Sequence, residues 1–188
     1  MPSARIHSAV LAGITGHILT IDADISNGPP GIILAGLPDT ALRETRDRVR
    51  AAVINSGQTW PYRRITVSLS PATLPKHGSG TDLAIAIAVL AADGSVPAEK
   101  SAGVMFLAEL GLDGQLRPVP GTVPAVIAAA TAGLRTIVVA DSSKFGRSAF
   151  AHIVRLEAVG ILITDRKPDR ELLDALSAAG VEVIVASG

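Results

Sequence analysis

Hydrophobic and polar residues alternate along two stretches in the first half of the chain. A period of two is typical of a strand with one buried face. In HILTIDADI, residues 17–25, every second residue from Leu19 to Ile25 is apolar. The pattern therefore predicts strands at 17–25 and, in RITVSLS, at 64–70. Between them, the turn SNGPPG is followed by a short second strand at 32–35.

Apolar residues at helical spacing predict two helices next to the third strand. Asp39 can cap the first helix and Gly57 ends it. The second, DLAIAIAVLAA at 82–92, is apolar on every face, which is typical of a central buried helix. The buried stripe of the first helix is predicted to consist of Leu42, Val49 and Val53.

Shorter elements follow the second helix. Residues 104–118 predict two strands joined at Asp113-Gly114, a strong hairpin signal. Thr122 can cap a further helix, which Gly133 ends.

The pattern changes near residues 139–141. TIVVAD, GILITD and VEVIVAS are short β-rich runs, and a helix capped by Asp169 and ended by Gly180 lies between the last two. Strands that alternate with helices predict a parallel, doubly wound arrangement. The fold class expected for the chain is therefore α/β.

Composition limits the possible functions. With 188 residues, 48% of them apolar, the chain can bury a sizeable core, and its formal net charge of zero gives no bulk argument for a nucleic-acid or membrane binder. Because cysteine is absent, disulfides and thiol catalysis are excluded. No secretory signal is evident and the longest apolar run, 83–92, is too short to span a bilayer, so we expect a cytoplasmic protein without a membrane partner.

Several ordered blocks within residues 4–139 are familiar: DADISNGPPGIILAGLPDTALRETRDRVRAAVINSG, RRITVSLSPATLPKHGSGTDLAIAIAVLAADG and AELGLDGQLRPVPGTVPAVIAAATAG. They resemble the N-terminal domain of the ComM (YifB) group of magnesium-chelatase-like AAA+ proteins. The resemblance implies a fold like ribosomal protein S5 domain 2, which also houses the Lon protease site. It also implies a role beside an ATPase that processes DNA in natural transformation as a hexameric ring.

The Lon similarity provides a test for catalysis, because Lon uses a serine activated by a lysine. Laid on the Lon motifs, the nucleophile position falls on Gly80 and the base position on Val123. Ser79 is adjacent, but no lysine occurs between Lys100 and Lys144. No Gly-Lys-Ser/Thr phosphate-binding loop of an ATPase occurs either. We therefore expect no enzymatic activity and no cofactor.

Two weaker site hypotheses come from charge. A cluster of arginines can contact nucleic-acid phosphates, although a solvated helix face with an internal pair such as Glu44–Arg48 explains it more simply. Trp60 and Tyr62 are the aromatic residues nearby. The cluster consists of Arg43, Arg46, Arg50, Arg63 and Arg64.

The second hypothesis concerns residues 138–188, which resemble the end of DeoR-type repressors, whose effector domains bind phosphorylated sugars. The resemblance rests on DSSKFG, then LITD, then a terminal helix and strand. It implies a sugar-phosphate pocket at the carboxyl ends of parallel strands. A simple capped turn explains the same residues. The candidate ligand residues are Asp141, Ser142, Ser143, Lys144 and Asp165.

The sequence thus predicts a chimera: a Lon-like S5-fold domain at 1–139 and a Rossmann-like β/α/β tail at 140–188, packed on one core. The leading hypothesis is a non-catalytic accessory or assembly domain, with an AAA+ ATPase module, a second copy of the chain or DNA as partners. The alternative is a sugar-phosphate-sensing module. The histidines are scattered, so no metal site is expected; they are His7, His17, His77 and His152.

Overall fold

The structure, a computed structural model, describes residues 3–36, 39–76, 79–140, 142–147 and 155–186, with backbone only for 39–42. A single eight-stranded sheet runs through it in the order β10-β9-β8-β5-β1-β2-β4-β3. Strands β1, β2 and β4 pair antiparallel, and every other pairing in this sheet is parallel. The strands are β1 Ser3–Ala12, β2 Thr15–Ser26, β3 Gly31–Ala35, β4 Arg64–Ser70, β5 Val104–Met105, β8 Arg135–Val139, β9 Val159–Thr164 and β10 Glu182–Val185. A separate hairpin pairs β6 Glu109–Leu110 with β7 Leu116–Arg117.

Helices cover both faces of this sheet. The strand period of two sends alternate residues to opposite faces. On one face, Ile6 and Ile21 pack with α1 and α2 in the largest apolar cluster. On the other face, Ala9 and Met105 pack against α4. The helices are α1 Asp39–Asn55, α2 Asp82–Asp93, α3 Ala98–Ser101, α4 Thr122–Thr131 and α5 Arg170–Ala178.

The period-two and helical patterns located most elements correctly. The apolar sides of the predicted strands at 17–25 and 64–70 are buried in β2 and β4, and the helix predicted at 82–92 is α2, with most of its residues buried. Asp169 caps α5 by accepting a hydrogen bond from the Leu172 amide at 2.9 Å. A mixed α/β fold with a mostly parallel central sheet is thereby confirmed.

Some expectations were wrong or incomplete. Strand β1 was not predicted, although it pairs with β2 over its whole length. The segment 104–118 holds a third strand, β5, which joins the main sheet. Gly121, with a left-handed φ of 79°, caps α4 in place of Thr122, which is its first residue and donates its hydroxyl to the Val119 carbonyl. The side chains of Asp39 and Leu42 lie outside the described residues.

The tail continues the sheet beyond residue 139. Strand β8 pairs with β5 through Val104↔Arg135 and Met105↔Thr136, and β9 and β10 add to its other side. The apolar cluster under the tail is separate from the two larger clusters. It contains Val159, Leu162, Leu176 and Val181.

Candidate functional site

An apolar cleft of about 370 Å³ opens between β1 and two loops that lead into helices. One loop, 79–81, precedes α2, and the other, 119–121, precedes α4. A Cβ at Gly121 would collide with the Leu11 side chain, so glycine allows the second loop to approach β1 closely. The cleft is lined by Ala9, Val10, Leu11, Ser79, Gly80, Thr81, Leu107, Val119, Pro120, Gly121 and Ala125.

The Lon-derived positions are only partly in this cleft. Gly80 lines it, whereas Val123 is partly exposed on α4 and is not among the lining residues. The Ser79 hydroxyl donates a hydrogen bond to the Glu109 carboxylate. Among the described residues that line the cleft, none is a lysine or a histidine. The geometry therefore offers a hydroxyl held by a carboxylate, without the cation that a serine–lysine dyad requires.

Lys76, the basic residue before this loop, has a structural contact of its own. Its side chain is 4% exposed, and the ammonium donates to the carbonyls of Pro71 at 2.7 Å and Leu74 at 3.2 Å. Burial lowers the pKa of the Lys76 ammonium below its ordinary value. Through these two hydrogen bonds Lys76 stabilises the 71–76 loop.

A buried ion pair lies behind the cleft at the start of α2. Asp82 is fully buried, and its carboxylate accepts hydrogen bonds from Arg48 Nε at 2.5 Å and Nη2 at 3.1 Å. Burial raises the pKa of the Asp82 carboxyl above its ordinary value, against the opposing effect of Arg48; the Asp82 hydrogen bond raises the pKa of the Arg48 guanidinium. Arg48 thus pairs with Asp82 and not with Glu44. A carboxylate at this helix N-terminus also disfavours a bound phosphate.

A second depression, here called the basic groove, lies between α1 and the 60–62 segment. It has a volume of about 400 Å³. Arg46 and Arg50 face it because residues four apart share a helix face. Arg46 Nε donates to Asp47 at 3.0 Å, whereas Arg50 makes no hydrogen bond or ion pair with any described residue. The lining is completed by Pro30, Gly31, Ile32, Asp47, Trp60, Pro61 and Tyr62.

The five candidate arginines do not form one surface. Arg46 and Arg50 share the basic groove, but Arg63 donates to Asn27 at 3.2 Å and Arg64 lies over Gly28 in a neighbouring shallow depression. Arg43 is exposed and lines neither. The aromatic residues of the basic groove were noted from the sequence, but their position opposite Arg46 and Arg50 depends on the fold.

In the tail, the structure brings Ser142 and Asp165 together. Asp165 accepts from the Ser142 amide at 2.6 Å and from its hydroxyl at 3.1 Å. The hydrogen bond from the amide lowers the pKa of the exposed Asp165 carboxyl. Ser143 and Lys144 are exposed, and Asp141 lies outside the described residues. Ser142 and Asp165, two of the candidate ligand residues, are thus bonded to each other, and the sugar-phosphate site stays a prediction.

Comparison with known proteins identifies the class of the chain. The family model for the ChlI subunit of Mg-chelatase matches residues 21–143, more than half of the chain. The chain therefore belongs to this family.

Individual relatives narrow the class further. The chain is 52% identical over 139 residues to an uncharacterized protein of Mycobacterium tuberculosis, covering 74% of the chain and 28% of that protein. It is 45% identical over 129 residues to the competence protein ComM of Haemophilus influenzae (69% and 25%) and 42% identical over 142 residues to YifB of Escherichia coli (76% and 28%). The chain spans about a quarter of the length of these relatives. The ComM and YifB resemblance is confirmed.

A more distant similarity concerns the Lon protease of Geobacter metallireducens, with 24% identity over 138 residues, 70% of the chain and 16% of that protein. This similarity supports the Lon-like interpretation of the sequence. The DeoR-type resemblance of residues 138–188 finds no such support and stays a prediction.

In the part of the chain that the structure describes, no helix is both long and apolar enough to cross a membrane.

Proposed function

We propose that this chain is a non-catalytic accessory or assembly domain of a ComM-type, magnesium-chelatase-like AAA+ protein that processes DNA in the cytoplasm during natural transformation. In this proposal residues 1–139 form a Lon-like domain of the S5 type, and residues 140–188 extend it. The observation that carries the proposal is the family match together with the similarity to ComM.

The cleft supports the non-catalytic part of this proposal. A peptidase of the Lon kind needs a lysine against its serine, and the described residues of the cleft provide Ser79, Gly80, Thr81 and apolar side chains. The Ser79 hydroxyl is bonded to the carboxylate of Glu109, which is an anion. If Ser79 were a nucleophile, Glu109 would have to accept its proton in place of the desolvated lysine that Lon uses.

A peptidase assay tests this part directly. Purified chain and its Ser79→Ala variant are incubated with a fluorogenic casein, and we expect no turnover above buffer in either. Turnover that is present in the wild type and lost in Ser79→Ala would establish a serine peptidase and refute the non-catalytic role. Equal turnover in both would identify a contaminant and leave the expectation intact.

Assembly is tested with the ATPase portion of YifB from Escherichia coli, prepared without the segment that this chain matches. Light scattering on mixtures of the two proteins is expected to show a complex containing the chain. Ovalbumin at the same concentration is the negative control. If the chain elutes separately at every mixing ratio, the assembly role is refuted.

The sugar-phosphate alternative receives no support from a described contact. Its test is a thermal shift with a panel of sugar phosphates, in which stabilisation that vanishes in Lys144→Ala would favour it. We expect unchanged melting curves because Ser142 and Asp165, two of the candidate ligand residues, are already bonded to each other.

A further inference from the structure

The basic groove combines features that its single elements do not have. Arg46 and Arg50 come from α1, whereas Trp60 and Tyr62 come from the segment before β4, so cations and aromatic rings line one depression. Trp60 is half-buried and packs against the main apolar cluster, and Tyr62 is 84% exposed. The Trp60 ring is thus supported by the core on one side, whereas most of the Tyr62 side chain is open to solvent.

The charges of the basic groove select an anion. Asp47 is compensated by Arg46, and Arg50 has no partner among the described residues, which leaves one uncompensated positive charge. An arginine guanidinium binds a phosphate with paired hydrogen bonds. The uncompensated charge therefore favours a ligand with a phosphate group.

The aromatic and proline surfaces select a planar, apolar ring. Base–aromatic stacking tolerates any sequence because every base has a π-face. A base in a duplex is stacked between its neighbours and is unavailable for this contact. A volume of about 400 Å³ also lies within the usual range for small-ligand sites, about 300–1,000 Å³.

We infer that the basic groove binds an unpaired nucleotide of a single nucleic-acid strand, with the base against Trp60 and Tyr62 and a phosphate on Arg50. The inference rests on the proposed association with DNA processing and names the form of DNA that this domain contacts. Arg46 stays paired with Asp47.

The chain contains one tryptophan, Trp60, so its intrinsic fluorescence reports on this groove alone. Titration with an oligothymidylate of about 12 nucleotides is expected to quench that fluorescence with saturation, because such a length covers one single-strand binding site. A labelled copy of the same oligonucleotide reports total binding by anisotropy. A duplex of equal length is expected to quench weakly or not at all.

Matched variants separate stacking from charge. Tyr62→Ala, on a side chain that contributes little to the core, is expected to weaken binding about tenfold. Arg50→Gln is expected to lower the slope of log affinity against log salt by about 0.7, the contribution of one phosphate on a single strand. Arg170→Gln makes the same charge change on an exposed residue of α5 and is expected to leave both quantities unchanged.

Four results would overturn the inference. These are anisotropy binding without a change in Trp60 fluorescence, equal affinity for the duplex, equal quenching by a polyglutamate peptide, and no binding of the oligonucleotide at all. The first places binding elsewhere and leaves the association with DNA intact. The assembly experiment with the ATPase portion of YifB uses no nucleic acid, so its outcome distinguishes failure of the proposed function from failure of the groove.

Discussion

At the scale of single residues, the pair of Arg48 and Asp82 is the most buried of the described ion pairs. Asp82 is fully buried and the Arg48 side chain is 22% exposed, whereas the partners of the Arg5–Asp22 pair are 69% and 42% exposed. Removing one partner of a buried pair leaves the other charge uncompensated in the protein interior, which solvates a charge poorly. The two pairs therefore provide a comparison between burial and exposure.

Asp82→Asn keeps the shape of the side chain and removes its charge. We expect the free energy of unfolding to fall by about 3 kcal/mol, measured by urea denaturation with circular dichroism. Asp22→Asn is the control, with an expected loss below about 1 kcal/mol. Similar losses in the two variants would show that, once its partner is neutral, Arg48 becomes hydrated as easily as Arg5 does.

Asp165 gives a prediction about pH. Because the Ser142 amide lowers the folded-state pKa of Asp165, its contribution to stability is present above the unfolded value, about 3.9, and is lost as the pH falls through the folded value. An NMR titration of the carboxyl carbon is expected to show a midpoint below the ordinary aspartate value. Ser142→Ala keeps the amide donor, so the midpoint should rise only part of the way; a full return would assign the shift to the hydroxyl.

At the scale of elements, close packing fixes α4 against the β1–β2 hairpin. A Cβ at Gly16 would overlap the Pro124 carbonyl of α4, which is backbone and cannot rotate away. Gly13, in the turn of the same hairpin, has a φ of 62° but open space around it. Glycine is needed at Gly16 because a side chain would not fit there, and at Gly13 because the backbone has a positive φ.

Gly16→Ala is therefore expected to lower the free energy of unfolding by about 3 kcal/mol, the upper part of the usual cost of overpacking. Gly13→Ala should cost about 1 kcal/mol, from backbone strain alone. Urea denaturation measures both. If the order of the two losses is reversed, α4 moves away from the hairpin more easily than its contacts indicate.

The elements also show how far the sequence could be read. Strands and helices with a clear period, such as β2, β4 and α2, were located because one face of each packs on the core. Strand β1 was missed because both of its faces meet helices near Ala9, so burial interrupts the alternation of its apolar side. The pairing of Arg48 with Asp82 joins residues 34 positions apart. No local spacing signals such a contact, and Glu44 at helical spacing was the natural but incorrect partner.

At the scale of the whole molecule, one sheet connects three apolar clusters of unequal size. The cluster under β9, β10 and α5 is small, and Val138 of β8 is among the partly buried residues that pack against it. Regions with few buried apolar contacts open at lower free energy than the core does. Stability is therefore expected to be uneven along the sheet.

Native-state hydrogen exchange in low urea measures this difference. Amides of β9 and β10 are expected to exchange through openings that cost less free energy than those of β2 and β4. As a control, amides of β8 that face β5 should have opening free energies similar to those of β2 and β4. Equal opening free energies across all strands would mean that the tail and the rest unfold as one cooperative unit.

The parallel pairing of β8 has a consequence for how this sheet can be extended. Strand β5 meets β8 through main-chain groups about 4.8 Å away, and these are the same whatever side chains follow residue 139. Pairing between neighbouring strands depends on the direction and spacing of their main chains and not on the origin of either strand. Each strand–helix unit added in the same direction leaves a new edge of the same kind, now at β10. The sheet is in this sense open-ended, and its last strand is a place where length can change without redesign of the core.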